Sequence, residues 1–493
     1  MNTNIRRLES ISVGKLDEKA NYIEKKDGVS VYRLNMGEPD IKTDESYYKA
    51  FAMYAKQAPK VNAYGDYKGN VDLRKSYAVY YNEKIKRNKF NKEDIQVTLG
   101  ASDAIISTLK TVCNENDGVI LIEPFFADYK MYCKLLGLDV KSYTIKEIMS
   151  NKAKIDDNCR VILFSNPGNP DGKVFNKDEL DKITRLAKKN DLYIISDEVY
   201  SEIAYSKFIS LADYDYNKSI IVDSASKKFS NGGARVGAII TKNTSVLDNI
   251  HKIYNARISI SNVEQYAVNN MFKQKDKIFD NILKIYNKRK NNIENYLQKQ
   301  DVIKYEVPDG GLFFLLELPV KDTEKFSEWV LENYRLDNQT VYIQSAKDFY
   351  CGNEGKNKVR LSFNNNSKYV IKGLDLLKDA VEEYNKNEGV PVFKSTESEI
   401  TSKKTSVKTK SNIYGFDEGA ESKITKRILD KKLAKNIATK KAVKTDLVKP
   451  VKESIRNSER KIEKRINSTT KVEPRISKLS KTAKLQARKK KNI

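Results

Sequence analysis

Seven short apolar runs punctuate the stretch from Asp94 to Ile240, at residues 95–99, 119–122, 140–145, 161–164, 192–195, 220–222 and 236–240. Between them, residues 102–113, 127–136 and 177–189 repeat apolar side chains at helical spacing. Short strands alternating with helices specify an α/β fold, a doubly wound layer around a mostly parallel seven-stranded sheet. In such a sheet ligands settle beyond the carboxyl ends of the strands, so the residues just after each run are where the chemistry is to be sought.

Those residues share a character. Gly100-Ala101-Ser102 follows the first run and opens a helix, where small residues leave amide N–H groups free for a phosphate; a plain glycine turn reads the same. Glu123-Pro124-Phe125-Phe126 follows the second, and an aromatic there either covers a flat ring or packs in the core. After residue 164 comes Ser-Asn-Pro-Gly-Asn-Pro-Asp-Gly, an irregular loop in which Asn169 offers an amide donor. Asp197 closes the fifth run, followed by Tyr200. A carboxylate ending a buried strand calls for a cation or strong donors, although a helix N-cap would also explain it.

The sixth run leads into residues 224–237, Ser-Ala-Ser-Lys-Lys-Phe-Ser-Asn-Gly-Gly-Ala-Arg-Val-Gly. Hydroxyls and an arginine fork suit a bound phosphate. A desolvated lysine among them would lose its proton and attack a carbonyl. Together they suggest a Schiff base to pyridoxal phosphate; a Lys/Ser-rich surface turn is the plain alternative. The residues alone do not choose between Lys227 and Lys228.

In order along the chain, Asn35-Met-Gly-Glu-Pro-Asp40, Tyr64-Gly-x-x-x-Gly with Leu73-Arg74, Gly100-Ala-Ser, Asn166-Pro-Gly-Asn-Pro-Asp-Gly, Ser196-Asp-Glu-Val-Tyr, Ser224-x-Ser-Lys-x-Phe with Gly-x-Arg235-x-Gly, and Val359-Arg-Leu-Ser-Phe resemble the class I/II aminotransferases of the aspartate-aminotransferase superfamily, fold type I. The resemblance covers residues 5–388 and implies pyridoxal 5'-phosphate as cofactor. Its eight-residue spacing from lysine to arginine points to Lys227 as the Schiff-base residue and, once released, the base that moves the α-proton. Arg235, Ser224, Ser226 and the Ala101 and Ser102 amides would hold the phosphate. Phe126 would stack on the pyridine ring, Asn169 and Tyr200 would donate to its oxygen, and Asp197 would keep its nitrogen protonated. Arg360 would grip the substrate α-carboxylate, with Asn169 and the Gly37 backbone lining the same pocket. Tyr64 would reach the phosphate of a neighbouring subunit, implying a homodimer. The resemblance also divides the chain into an arm at 1–45 that joins the small domain, a large cofactor-binding domain at 46–284, and a small α+β domain at 285–388. Some aspartate-using relatives carry a lysine where Ser102 stands, which argues against aspartate here unless Arg257 or another basic residue substitutes.

Composition narrows the alternatives. The single histidine, His251, lies in a polar helix-like stretch and reads as a surface residue. Histidine-based metal sites and Ser-His or Cys-His hydrolysis are thereby disfavoured. Cys113, Cys133, Cys159 and Cys351 form no C-x-x-C pair, so neither zinc nor a disulfide framework is expected. No run is apolar and long enough for a membrane span and the N-terminus lacks a secretory pattern, so a cytoplasmic protein is expected. Charge is unevenly placed: residues 1–390 carry 61 basic and 55 acidic side chains, whereas 391–493 carry 30 and 11. Residues 389–493 thus read as a basic, low-complexity and disordered tail, with an anionic partner, nucleic acid or membrane surface, as one expectation and a solvated extension as the other. The function expected is amino transfer between an α-amino acid and a 2-oxo acid, of aspartate, alanine or aromatic type. A carbon–sulfur lyase or decarboxylase on the same scaffold, and a non-catalytic regulatory or nucleic-acid-associated protein, stand as alternatives.

Overall fold

Thirteen strands are found among residues 12–57, 63–86 and 89–388, which the structure, a computed structural model, describes. The first, β1 (Ser30–Arg33), stands ahead of the main layer. β2 (Ile95–Thr98), β3 (Gly118–Glu123), β4 (Asp139–Thr144), β5 (Cys159–Ser165), β6 (Tyr193–Asp197), β7 (Ser219–Ser224) and β8 (Gly237–Ile240) build one seven-stranded sheet in the order β2-β8-β7-β6-β5-β3-β4. Each falls on one of the seven apolar runs, within two residues at either end. The helices Gly100–Val112, Asp128–Leu136 and Lys177–Lys189 fill the expected gaps.

Buried strands must feed two cores at once, and the period-two alternation does this. Val119, Leu121, Val161, Leu163, Ile195, Ile220 and Val222 enter the core on one face. Ile120, Ile122, Ile162, Phe164, Ile194 and Ile221 enter the other. The near-continuous apolar runs follow from this double burial. Chain ends of the helices are set locally: Asn176 and Glu179 form a reciprocal capping box at one start, and Gly137 takes the left-handed conformation at one finish.

One strand departs from the parallel order. β8 runs antiparallel to both β7 and β2. The 12 residues 225–236, which hold one helical turn and a 3₁₀ turn, return the chain so that β8 pairs with β7 as the second arm of a wide hairpin. The tip of that hairpin is the lysine stretch, which places it at the same end of the sheet as the carboxyl ends of β3, β5 and β6.

Beyond the main sheet, β9 (Lys304–Tyr305), β10 (Phe313–Glu317), β12 (Gln344–Ser345) and β13 (Lys358–Ser362) form an antiparallel sheet, and β11 (Gln339–Tyr342) pairs in parallel with β1. The position 284/285, where the sequence suggests a division, lies inside the helix Lys275–Leu297. No helix of the described residues is long and apolar enough to cross a membrane. The tail 389–493, with its expected disorder and anionic partner, lies outside the described residues.

Candidate active site

A cavity of about 480 Å³ opens at the carboxyl ends of the central strands. Its wall brings together Gly37, Ala101, Ser102, Phe126, Asn169, Asp197, Tyr200, Ser224, Ser226, Lys227, Arg235 and Arg360, all residues singled out from the sequence. Of that set only Tyr64 stands apart; it is 83% exposed, on a loop outside the cavity.

One end of the cavity suits an anion. The helix Gly100–Val112 begins without a side-chain cap, so its first amides are left for another acceptor. The Ser224 and Ser226 hydroxyls lie 2.9 Å apart on the single turn Ala225–Lys228 and its cap. Arg235 completes the group from a left-handed backbone, φ 50°. The backbone at Gly100 requires a glycine. Its own φ is +79°, and a Cβ would meet Arg235 Nη2 at 2.8 Å.

The opposite end is acidic. Asp197 is buried at the end of β6, where Tyr129 donates to its Oδ2 at 2.8 Å and the Val199 amide to its Oδ1 at 3.4 Å. No helix begins at Asp197, so it is not an N-cap; its contact to the Val199 amide lies within the turn that follows β6. Burial pushes the carboxyl up to about 6, against the pull of the Tyr129 hydroxyl. A cation set before it would reverse that shift. Tyr129 was missed in the sequence: it lies one helical turn beyond Phe126, and nothing in a lone Tyr signals a partner 68 residues away.

Lys227 stands between these ends. Its Nζ donates to the Gly37 carbonyl at 2.8 Å and lies 5.9 Å from the centre of the Tyr200 ring. Burial, reinforced by the Arg360 charge, lowers its ammonium to about 8. Lys228 points the other way, into the core, and has no surface in the cavity. The close approach of Gly37 also depends on its lacking a side chain, since a Cβ would lie 2.5 Å from the Phe313 ring.

Arg360 is held deep in the wall. Its guanidinium donates to Asn169 Oδ1 at 2.9 Å, to the Asn35 carbonyl at 2.7 Å and to Gln344, over the Phe313 ring at 4.5 Å. Its Nε is buried without a partner. Burial brings its pKa down to about 10. With its oxygen committed to Arg360, Asn169 keeps its amide N–H groups for a ligand. Met36, Glu38, Pro39, Asp128, Ser165, Val199, Gly232 and Phe313 also line the cavity and were not called. Arg257 is not among them: it pairs with Asp103 and lies over the Tyr254 ring at 4.7 Å. His251 is half-buried beside Tyr67 at 6.0 Å rather than a surface residue, because the loop ahead of helix Val71–Lys84 covers it.

An anion cradle, a desolvated amine, an aromatic wall and a buried carboxylate in one cavity match the parts of pyridoxal phosphate: phosphate, aldehyde, ring and ring nitrogen. The cradle that a Cβ at Gly100 would fill, and the uncapped helix start beside it, are the observations on which this fit rests.

Comparison with known proteins gives a consistent result. The family model for "Aminotransferase class I and II" matches residues 29–375. The aspartate aminotransferase of Thermotoga maritima is 27% identical over 388 residues, spanning 76% of this chain and 98% of the relative. A (5-formylfuran-3-yl)methyl phosphate transaminase of Methanocaldococcus jannaschii is 25% identical, over 72% of this chain and 92% of its own. The solved structure of the Thermotoga maritima aspartate aminotransferase superposes with a TM-score of 0.70 at 25% identity, covering 78% of this chain and all of that one.

Proposed function

The chain belongs to the class I and II aminotransferases, and from that premise we propose how its residues divide the transfer of an amino group from an α-amino acid to a 2-oxo acid. The enzyme depends on pyridoxal phosphate, which when bound supplies an aldehyde for amines to add to and a ring that accepts the electron pair left by a departing α-proton. Everything else is the work of the chain. Ser224, Ser226, Arg235 and the amides of residues 101–102 would hold the phosphate. Phe126 would pack on the ring, Asn169 and Tyr200 would donate to its oxygen, and Asp197 would keep a proton on its nitrogen. Lys227 anchors the cofactor. As a free amine, its neutral Nζ would be the base that accepts the substrate α-proton and gives it back. An ammonium lowered to about 8 leaves roughly one molecule in five neutral near pH 7.4, far more than an ordinary lysine would, and such a base works only in that form.

The observation that carries this reading is the convergence of Lys227, Asp197 and Arg360 on one cavity. Arg360 selects α-amino acids among amines: its fork meets the α-carboxylate and turns the α-hydrogen toward Lys227. The three lining cations, Lys227, Arg235 and Arg360, then all have roles, so no spare one among the described residues of a single chain answers a side-chain carboxylate. Arg360→Lys tests the assignment. Losing the fork at a buried charge pair costs about 2–5 kcal/mol, a fall of roughly 30-fold to several thousand-fold in kcat/KM for α-amino acids. A primary amine without a carboxylate should react equally well with both proteins; an equal loss for both would assign Arg360 to packing.

The proposal extends to a cytoplasmic homodimer in which residues 1–45 and 285–388 act as a small domain beside 46–284, and Tyr64 completes the partner's phosphate site. The exposed Tyr64 loop supports this. It is fixed rather than loose, with the Gly65 amide donating to Ser259 Oγ at 2.9 Å and Asn262 donating to the Ala63 carbonyl at 3.0 Å. Exposed Tyr48 and Met53 lie on the helix Glu45–Gln57, which packs on Asn262–Phe272. Sedimentation at twice the monomer mass is expected. Tyr64→Phe should weaken cofactor binding by about 1 kcal/mol, roughly fivefold, the worth of one hydrogen bond. A monomer that binds cofactor normally would refute the shared site.

A further inference from the structure

Lys228 follows the cofactor lysine in the chain, yet faces the opposite way. Successive residues of a helical turn project about 100° apart, so one lysine opens on the cavity while the other is driven into the core. Lys228 is fully buried, as is its ion-pair partner Asp223. Its Nζ also donates to Tyr80 Oη at 2.9 Å and lies 4.1 Å from the centre of that ring. Asp223 Oδ2 accepts from Tyr81 Oη at 3.0 Å, and its Oδ1 accepts from the Ser224 amide. Tyr80 is bonded onward to Glu202, itself paired with Lys84. Neither Lys228 nor Asp223, Tyr80 or Tyr81 lines the cavity.

A buried ion pair is a poor stabilising device, because desolvation offsets most of its attraction; its better-attested use is to fix one arrangement. The arrangement here is specific. Asp223 stands on β7 just before the turn and Lys228 ends it, so the pair closes a loop around Ser224, Ser226 and Lys227. Inside that loop the Ser226 amide donates to Ser224 Oγ at 3.2 Å and the two serine hydroxyls lie 2.9 Å apart, while the Ala225 amide ties its start to the Val236 carbonyl at 2.9 Å; the Asp223–Lys228 ion pair joins its two ends.

We propose that Lys228 is a positioning residue, whose ion pair with Asp223 clamps the turn across its base and so presents Lys227 and the two serine hydroxyls to the cavity. The proposal rests on the assignment of Lys227 as the cofactor lysine. The charged and titratable groups around Asp223 are Lys228, Tyr77, Tyr80, Tyr81, Asp197 and Glu198; burial holds the Asp197 and Glu198 carboxyls up, and the Asp223 charge adds to it.

Two variants of the full chain test this. Lys228→Met leaves Asp223 unpaired, while Asp223→Asn with Lys228→Met removes both charges. The readouts are the cofactor dissociation constant, the pH midpoint of the bound cofactor's absorption, and the Tm. Lys228→Met should weaken cofactor binding about tenfold, within the range for coupled neighbours, and shift the absorption midpoint; the double variant should recover binding to within about threefold. A lowered Tm with binding and midpoint unchanged would reduce the pair to ordinary core packing and overturn the proposal. Should Lys228→Met not fold, Tyr81→Phe decides: it keeps both charges, removes one bond to Asp223, and should weaken binding about threefold. Unchanged binding there overturns the proposal equally. Failure of the Lys227 assignment would show separately, as borohydride fixing the cofactor's mass on a peptide without Lys227 in the parent protein.

Discussion

Lys227→Ala is expected to lower turnover at least about 10⁴-fold, with the fold and Tm close to those of the parent. The size follows from the two duties proposed for one amine. General acid–base transfer alone is worth about 10²–10⁴-fold. Loss of the covalent anchor adds to this, and residues that act as a unit do not fail additively. Lys228 cannot take over, because its Nζ is committed to Asp223 and Tyr80 away from the cavity. Borohydride reduction should therefore fix the cofactor's mass on the parent peptide carrying Lys227 and on no peptide of the variant. The parent offers a pH check on the same atom. A lysine amine reacts only when neutral, so covalent capture of cofactor by the empty protein should rise with pH through about 8, where burial has placed Lys227, and level off above. A midpoint near the ordinary 10.5 would mean that the amine is not desolvated; capture by the variant at the parent's rate would move the anchor elsewhere.

The sequence made some of this legible for reasons that can be stated. Strands buried on both faces must be apolar throughout, so all seven runs could be located, and a parallel sheet gathers its ligands at one end, so Gly100, Asn169 and Asp197 could be linked before any contact was known. The antiparallel return of β8 was not foreseen, because the 12 residues between β7 and β8 sit at the lower limit for a crossover and their length alone does not choose the direction. Arg360 was reached only through family resemblance: it sits on β13 in a different sheet, and its bond to Asn169 spans 191 positions. Tyr129 and the Lys228–Asp223 pair were not found, because what distinguishes them is burial and direction rather than residue type. Adjacent lysines look alike in sequence. A single residue step of about 100° separates an amine open to the cavity from an ammonium locked in the core.

Asp197→Asn should lower kcat/KM by about 3–5 kcal/mol, roughly 10²- to 10³-fold or somewhat more, the range for removing one partner of a buried charge pair. The side chain keeps its shape and can still accept from Tyr129, so the loss isolates the charge that would hold a proton on the ring nitrogen. Tyr129→Phe tests the same carboxylate from its other side. Asp197 acts as an anion, present above its pKa, and the Tyr129 hydroxyl favours that anion. Removing the hydroxyl must raise the Asp197 pKa, so activity should begin to fall at a higher pH as the solution is acidified. A hydrogen bond to a charged group is worth about 1.5–3 kcal/mol, so the acid limb of the kcat/KM profile should move up by about one to two pH units. At pH well above the limb the Tyr129→Phe enzyme should approach parental activity, whereas Asp197→Asn should be impaired at every pH. Parallel, pH-independent losses in both variants would make Tyr129 a packing residue and leave the ionisation of Asp197 to the cofactor and the Val199 amide alone.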